Sequence, residues 1–86
     1  MDIYVGNLSF DATDEELQNL FEEYGAISSA SVIKDKFSGK SRGFGFVEME
    51  DKTEAESAIS GLNEYSFMGR TLRVNEARPK KQGKKN

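Results

Sequence analysis

Six phenylalanines and three tyrosines, set against no histidine and no cysteine, define the chemistry open to this 86-residue chain. Without histidine the usual general base and the commonest metal ligand are missing. Without cysteine there are no disulfides, no thiolate centres and no sign of an oxidising compartment. What the sequence concentrates instead is flat rings beside cations. In Arg42-Gly43-Phe44-Gly45-Phe46-Val47-Glu48-Met49 two rings stand two residues apart, each preceded by a glycine, and an arginine opens the run. Residues two apart in a strand share a face, so both rings project together. Ile3-Tyr4-Val5-Gly6-Asn7-Leu8 adds a third ring between two β-branched residues. Rings standing in water on a sheet offer noncovalent chemistry: they stack against other flat groups, nucleobases above all.

Several elements must hold these rings in place. Ile3-Tyr4-Val5 is rich in strand formers. Thr13-Asp14-Glu15-Glu16 has capping-box spacing, and Leu17, Leu20, Phe21 and Tyr24 follow as one apolar helical stripe, with Gly25 placed to end it in a left-handed conformation. Ile27 to Lys34 reads as a second strand, and Asp35 to Ser41 carries turn chemistry before the glycine-aromatic strand. Asp51 to Glu54 repeats the capping-box spacing ahead of the stripe Ala55, Ala58, Ile59, Leu62, with Asn63 as a terminator that tolerates positive φ. A short Tyr65-Ser66-Phe67 strand, a Met68-Gly69 turn and a last strand from Thr71 to Glu76 complete the chain. The order predicts an α+β fold in which two helices cover one face of a mostly antiparallel sheet. The other face is then wet or used for binding.

Alternation decides which face carries the rings. If Phe44 and Phe46 pointed into the core, Glu48 would follow them with no evident partner, at a cost of several kcal/mol in order of magnitude. Ile3 and Val5 go inward together, which turns Tyr4 outward. Three clustered rings in water mark a binding surface.

Composition bounds the rest. The chain has the length of one domain near the lower size limit for an independent core. It carries no apolar run long enough to span a bilayer and no signal-peptide pattern, so no membrane association and a cytoplasmic location are expected. The net charge of −3 is uneven. From Arg78 onward five cations meet no anion, leaving seven cations against fifteen anions in residues 1–77, a net of −8. Such a body does not attract a polyanion from a distance, so binding must rest on stacking, local cations and the tail. The acidic stretch Asp14-Glu15-Glu16 with Glu22 and Glu23 reads as helix capping and a wet face, not a metal or catalytic cluster. No cofactor is expected. Gly43-x-Gly45 is no phosphate cradle, because no helix follows it.

Arg42 to Met49 resembles the octamer of the RNA recognition motif family in seven of eight positions, counting the free one. Ile3 to Leu8 looks like the companion hexamer, and the resemblance spans roughly residues 2–77. Phe67-Met68-Gly69-Arg70 and Val74 to Pro79 are similar to short bacterial members made of one such domain and a polar tail. The resemblance implies a βαββαβ ferredoxin-like sandwich with a four-stranded antiparallel sheet and both helices on one face. It implies single-stranded RNA binding without catalysis: Tyr4 and Phe46 stack successive bases, Phe44 lies against the sugars, Arg42 pairs with a phosphate and Asn7 meets a base edge. Two positions depart from the pattern. Met49 stands where an aromatic is usual, on the core side, and Glu64 stands where a glycine is common.

Other expectations follow from position. Arg73 and Asn75 alternate with Leu72 and Val74 and share the rings' face, where they contact nucleic acid or form an ordinary wet strand face. Ile33 either edges the ring surface or lies under a loop. Lys34, Lys36 and Lys40 flank a flexible loop and either contact phosphates or only solubilise, as exposed lysines mostly do, Lys40 being assigned to the site. The basic tail 78–86, expected to be disordered, closes over RNA through Arg78 and its lysines or only solubilises. Single-stranded DNA stays open as a ligand, since rings do not read the sugar hydroxyl. A monomer is expected. A protein partner on the acidic helix face is a second class of function. An acylphosphatase-like enzyme, the third, needs an arginine-bearing phosphate loop after the first strand, which Asn7 to Asp11 does not offer.

Overall fold

The computed structural model describes residues 1–77; the basic tail 78–86, Arg78 included, lies outside them. The elements run β1 (Asp2–Gly6), α1 (Asp14–Glu22), β2 (Ser29–Lys34), β3 (Ser41–Glu48), α2 (Lys52–Leu62), β4 (Ser66–Phe67), β5 (Arg70–Thr71) and β6 (Arg73–Glu76). Four strands form one sheet in the order β2-β3-β1-β6, every pair antiparallel. The remaining two, β4 and β5, make a small hairpin whose Met68-Gly69 turn has positive φ at both residues, 53° and 83°, the geometry that matches strand twist in two-residue turns.

Both helices begin as their cap residues dictate. Thr13 accepts the Glu16 N–H while Glu16 returns to the Thr13 N–H, an arrangement worth about 1 kcal/mol. Asp51 accepts the Glu54 N–H, but Glu54 does not reciprocate: its carboxylate reaches across to the Ala26 N–H at 3.3 Å. The Glu54 side chain occupies the space a Cβ on Gly25 would need. That explains Gly25 better than helix capping does, for its φ of 157° is almost extended and α1 ends on Glu23 in ordinary helical geometry. At the end of α2 the positive φ also falls elsewhere than expected. Asn63 is extended at φ −65°, and Glu64 takes the left-handed conformation at φ 69°. Asn63 is held there because its Oδ1 accepts the Val74 N–H at 3.1 Å, tying α2 to β6.

The core lies between the helices and one sheet face. Ile3, Val5, Val32, Val47 and Val74 from the strands meet Leu17 and Phe21 of α1 and Ala55, Ala58 and Leu62 of α2, all buried. Met49 is buried too, at the octamer's last position. Among the described residues no polar or charged side chain is fully buried, so every polar group available for recognition stands on the surface. Among the same residues no helix is long and apolar enough to cross a membrane, and no cluster of acidic side chains is arranged to hold a metal ion. The acidic start of α1 serves the sheet directly, because the Asp14 carboxylate accepts the Val32 N–H of edge strand β2 at 2.7 Å.

Candidate nucleic-acid interface

Strand register brings the rings together. Tyr4 on β1 stands opposite Phe46 on β3 and Asn75 on β6, while Phe46 stands opposite Ser31 on β2. One row across the open face therefore reads Ser31, Phe46, Tyr4, Asn75. The next row reads Phe44, Gly6, Arg73. The centroids of Tyr4, Phe44 and Phe46 lie 5.9, 5.9 and 6.0 Å apart, with tilted and edge-on ring planes, the spacing aromatic pairs prefer. Phe46 is 38% exposed and the other two rings are half-buried. Glu48 is exposed, as strand alternation requires.

Glycine sets the attitude of Tyr4. A Cβ on Gly6 would come within 2.6 Å of the Tyr4 hydroxyl and 2.8 Å of its ring. The phenol therefore lies along the strand, over the backbone of the residue two places on, and offers a ring where any side chain would tip it up. At Gly43 the reason differs. Its φ is 85°, and the β2–β3 register slips between Val32 and Lys34, so the strand bulges there as glycine in this conformation permits. Alternation is broken at the bulge. Arg42 consequently does not inherit the rings' face by counting, and its guanidinium lies close enough to Asp35 to act on that carboxylate. Ile33 falls in the same irregularity and is half-buried.

The β2–β3 loop is built, not slack. The Ser38 and Phe37 N–H groups donate to the Asp35 carboxylate at 3.0 and 2.7 Å, and the loop closes through Asp35 N–H to the Lys40 carbonyl at 2.8 Å. The Ser38 bond foremost, then that of Phe37, with Arg42 adding a smaller attraction, holds the Asp35 carboxyl below its ordinary value of 3.8. A depressed folded-state pKa stabilises the loop at and above the unfolded value and loses that contribution as pH falls through the lower one. The amide resonances of Phe37 and Ser38 should thus move together, with a midpoint below the ordinary 3.8. An Asp35 that titrates at or above 3.8 would contradict this.

Asn7 is engaged within the fold. At φ 59° it leaves β1, its Nδ2 donates to the Thr71 carbonyl at 2.6 Å, and its Oδ1 accepts from Arg70 at 2.8 Å. The amide clamps β1 to the small hairpin, keeping one N–H and one lone pair for anything else. Arg73 and Asn75 are exposed on the open face, Lys40 is exposed in the β2–β3 loop, and Arg78 lies outside the described residues. Two features need the register to be visible. Arg70 joins the site through Asn7. Asp2 and Glu48 stand directly opposite one another beyond Phe46, beside Ser29. Opposed like charges on a sheet are destabilising.

Known proteins share this sequence pattern and fold. The family model described as RNA recognition motif matches residues 3–73. The "Putative RNA-binding protein RbpE" of Nostoc sp. strain PCC 7120 is 45% identical over 82 residues, covering 95% of this chain and 83% of its own. Among solved structures, that of RNA Binding Protein PG1 superposes with a TM-score of 0.88 at 52% identity, covering 93% of this chain and 99% of that one. A structure described as the Sxl-lethal protein/RNA complex gives a TM-score of 0.86 at 33% identity, covering 91% of this chain and 47% of that one.

Proposed function

This chain belongs to the RNA recognition motif family, and from that premise we propose that it binds single-stranded RNA on the open sheet face, without catalysis. One observation carries the reading: three rings within 6.0 Å of one another stand on the face the helices leave bare. Tyr4 and Phe46 stack two successive bases, and Phe44 meets the sugars between them. Asn75, in the row of Tyr4, and Arg73, in the row of Phe44, border the stack. Arg42 and Lys40 supply charge at the loop end, with Arg78 following β6. Asn7 serves by fixing the edge of β1 more than by touching a base.

Each base stacked on a ring contributes roughly 1–3 kcal/mol. Two stacks with a sugar contact and a few hydrogen bonds reach about micromolar affinity, near −8 kcal/mol. Stacking tolerates every base, so sequence preference is modest. If about three cations meet phosphates, the log–log salt slope is near −2 for a single strand. The test is a competition panel of short RNA and DNA oligonucleotides read by tyrosine fluorescence, repeated at several salt concentrations. Quenching by RNA ahead of DNA with a shallow slope supports the reading. Absence of quenching by any oligonucleotide, or a slope steeper than about −5, overturns it in favour of no platform or of charge-driven binding.

A further inference from the structure

Past the Phe44 end of the sheet, in the connection from β1 to α1, Phe10 holds its ring 67% exposed. Nothing in the core asks for it. Yet the ring is placed: the Arg70 guanidinium lies 6.0 Å from its centroid, and a Cβ on Gly43 would come within 3.0 Å of its edge. Phe10 borders an open groove of about 730 Å³, whose lining includes Lys34, Lys40 and Ser41 from the β2–β3 side and Asp11 from its own loop. Two cations face one carboxylate there, in a domain body that is strongly acidic.

The open face is electrically lopsided. At the Phe46 end the Asp2 and Glu48 carboxylates oppose each other, and neither has a hydrogen bond or ion pair to any described residue. At the Phe44 end Arg73 shares the row of Phe44 and Arg70 stands over Phe10. A phosphate chain crossing the rings is repelled from the first end and drawn over the second, which leads to the groove. The hydrogen bonds that close the β2–β3 loop fix the backbone on which Lys40 stands, so this side is ordered before a strand arrives.

We propose that the Phe10 groove is a further nucleotide subsite: one base of an RNA already seated on the platform stacks on Phe10, and its flanking phosphates meet Lys34 and Lys40. The subsite rests on the platform reading, and length dependence separates the two. The test titrates the whole protein with an RNA dinucleotide, followed by NMR, and with an RNA octanucleotide, followed by fluorescence anisotropy. Phe10→Ala should leave dinucleotide affinity unchanged and weaken the octanucleotide about tenfold, the loss expected for one stacked base. Phe10→Tyr should restore it. Lys34→Gln should flatten the octanucleotide's salt slope by about 0.7. Should Phe10→Ala disturb the fold, Phe10→Leu keeps bulk against Gly43 and removes the aromatic face. An octanucleotide affinity that Phe10→Ala leaves unchanged overturns the subsite and leaves the platform standing. Equal loss for both ligands in a folded variant also overturns it, placing Phe10 within the platform. Failure of the unmodified protein to bind either ligand overturns the platform itself.

Discussion

Replacing Tyr4 and Phe46 together by alanine is expected to abolish RNA binding in a protein that still folds. The two stacks contribute roughly 2–6 kcal/mol between them, so affinity falls at least thirtyfold and, near the middle of that range, about a thousandfold. The core is untouched. Both rings stand outside the buried cluster, and what is lost is the three ring–ring contacts among Tyr4, Phe44 and Phe46, roughly 0.5–1.5 kcal/mol each, so the variant melts lower but folds. Circular dichroism and a thermal melt check the fold, and anisotropy with a labelled octanucleotide checks binding. Phe37, 94% exposed in the β2–β3 loop, is the control: a still wetter ring outside the ring cluster, whose alanine variant should change neither readout.

Phe21→Ala should do the reverse, and it should be the most damaging of the single aromatic truncations. Phe21 is fully buried and heads the largest side chains of the core. Truncating a buried phenylalanine costs about 3–5 kcal/mol in lost transfer energy and unfilled cavity. A domain of this size has roughly 4–12 kcal/mol in total, so the variant loses about a quarter of its stability or more and its melting temperature drops by about 15 °C or more. The pair of predictions sets one residue type on opposite sides of one sheet. If Phe46→Ala cost as much stability as Phe21→Ala, the exposed rings would be a second core and not a surface for ligands.

Much of this arrangement was legible in the residue order because its causes are local. Thr13 and Glu16 cap α1 by their spacing. Ile3 and Val5 declare the inward side of β1, and Glu48 shows which side of β3 stays wet. The departures come from partners distant in sequence. The Asn7 amide is engaged by Thr71 and Arg70, more than sixty positions away, and nothing near Asn7 announces them. Glu54 abandons half of its capping box for Ala26 across the domain. The left-handed residue after α2 is Glu64 and not Asn63, because Asn63 is held extended by its bond to Val74. Such a conformation costs a non-glycine residue about 1–2 kcal/mol, which gives a physical reason for the glycine the family resemblance places there. The bulge at Gly43 hid in a run that reads as an unbroken strand. The opposed Asp2 and Glu48, and the groove under Phe10, exist only after strands have paired and loops have closed.

RNA binding on the bare sheet face would be reported most directly by the ring protons of Tyr4, Phe44 and Phe46. In an NMR titration with a short single-stranded RNA, those signals should shift upfield together as bases stack on them, while the exposed faces of α1 and α2 stay unperturbed. Shifts confined to the helices, with the three rings unmoved at saturation, would contradict the account and place the ligand on the opposite side of the molecule.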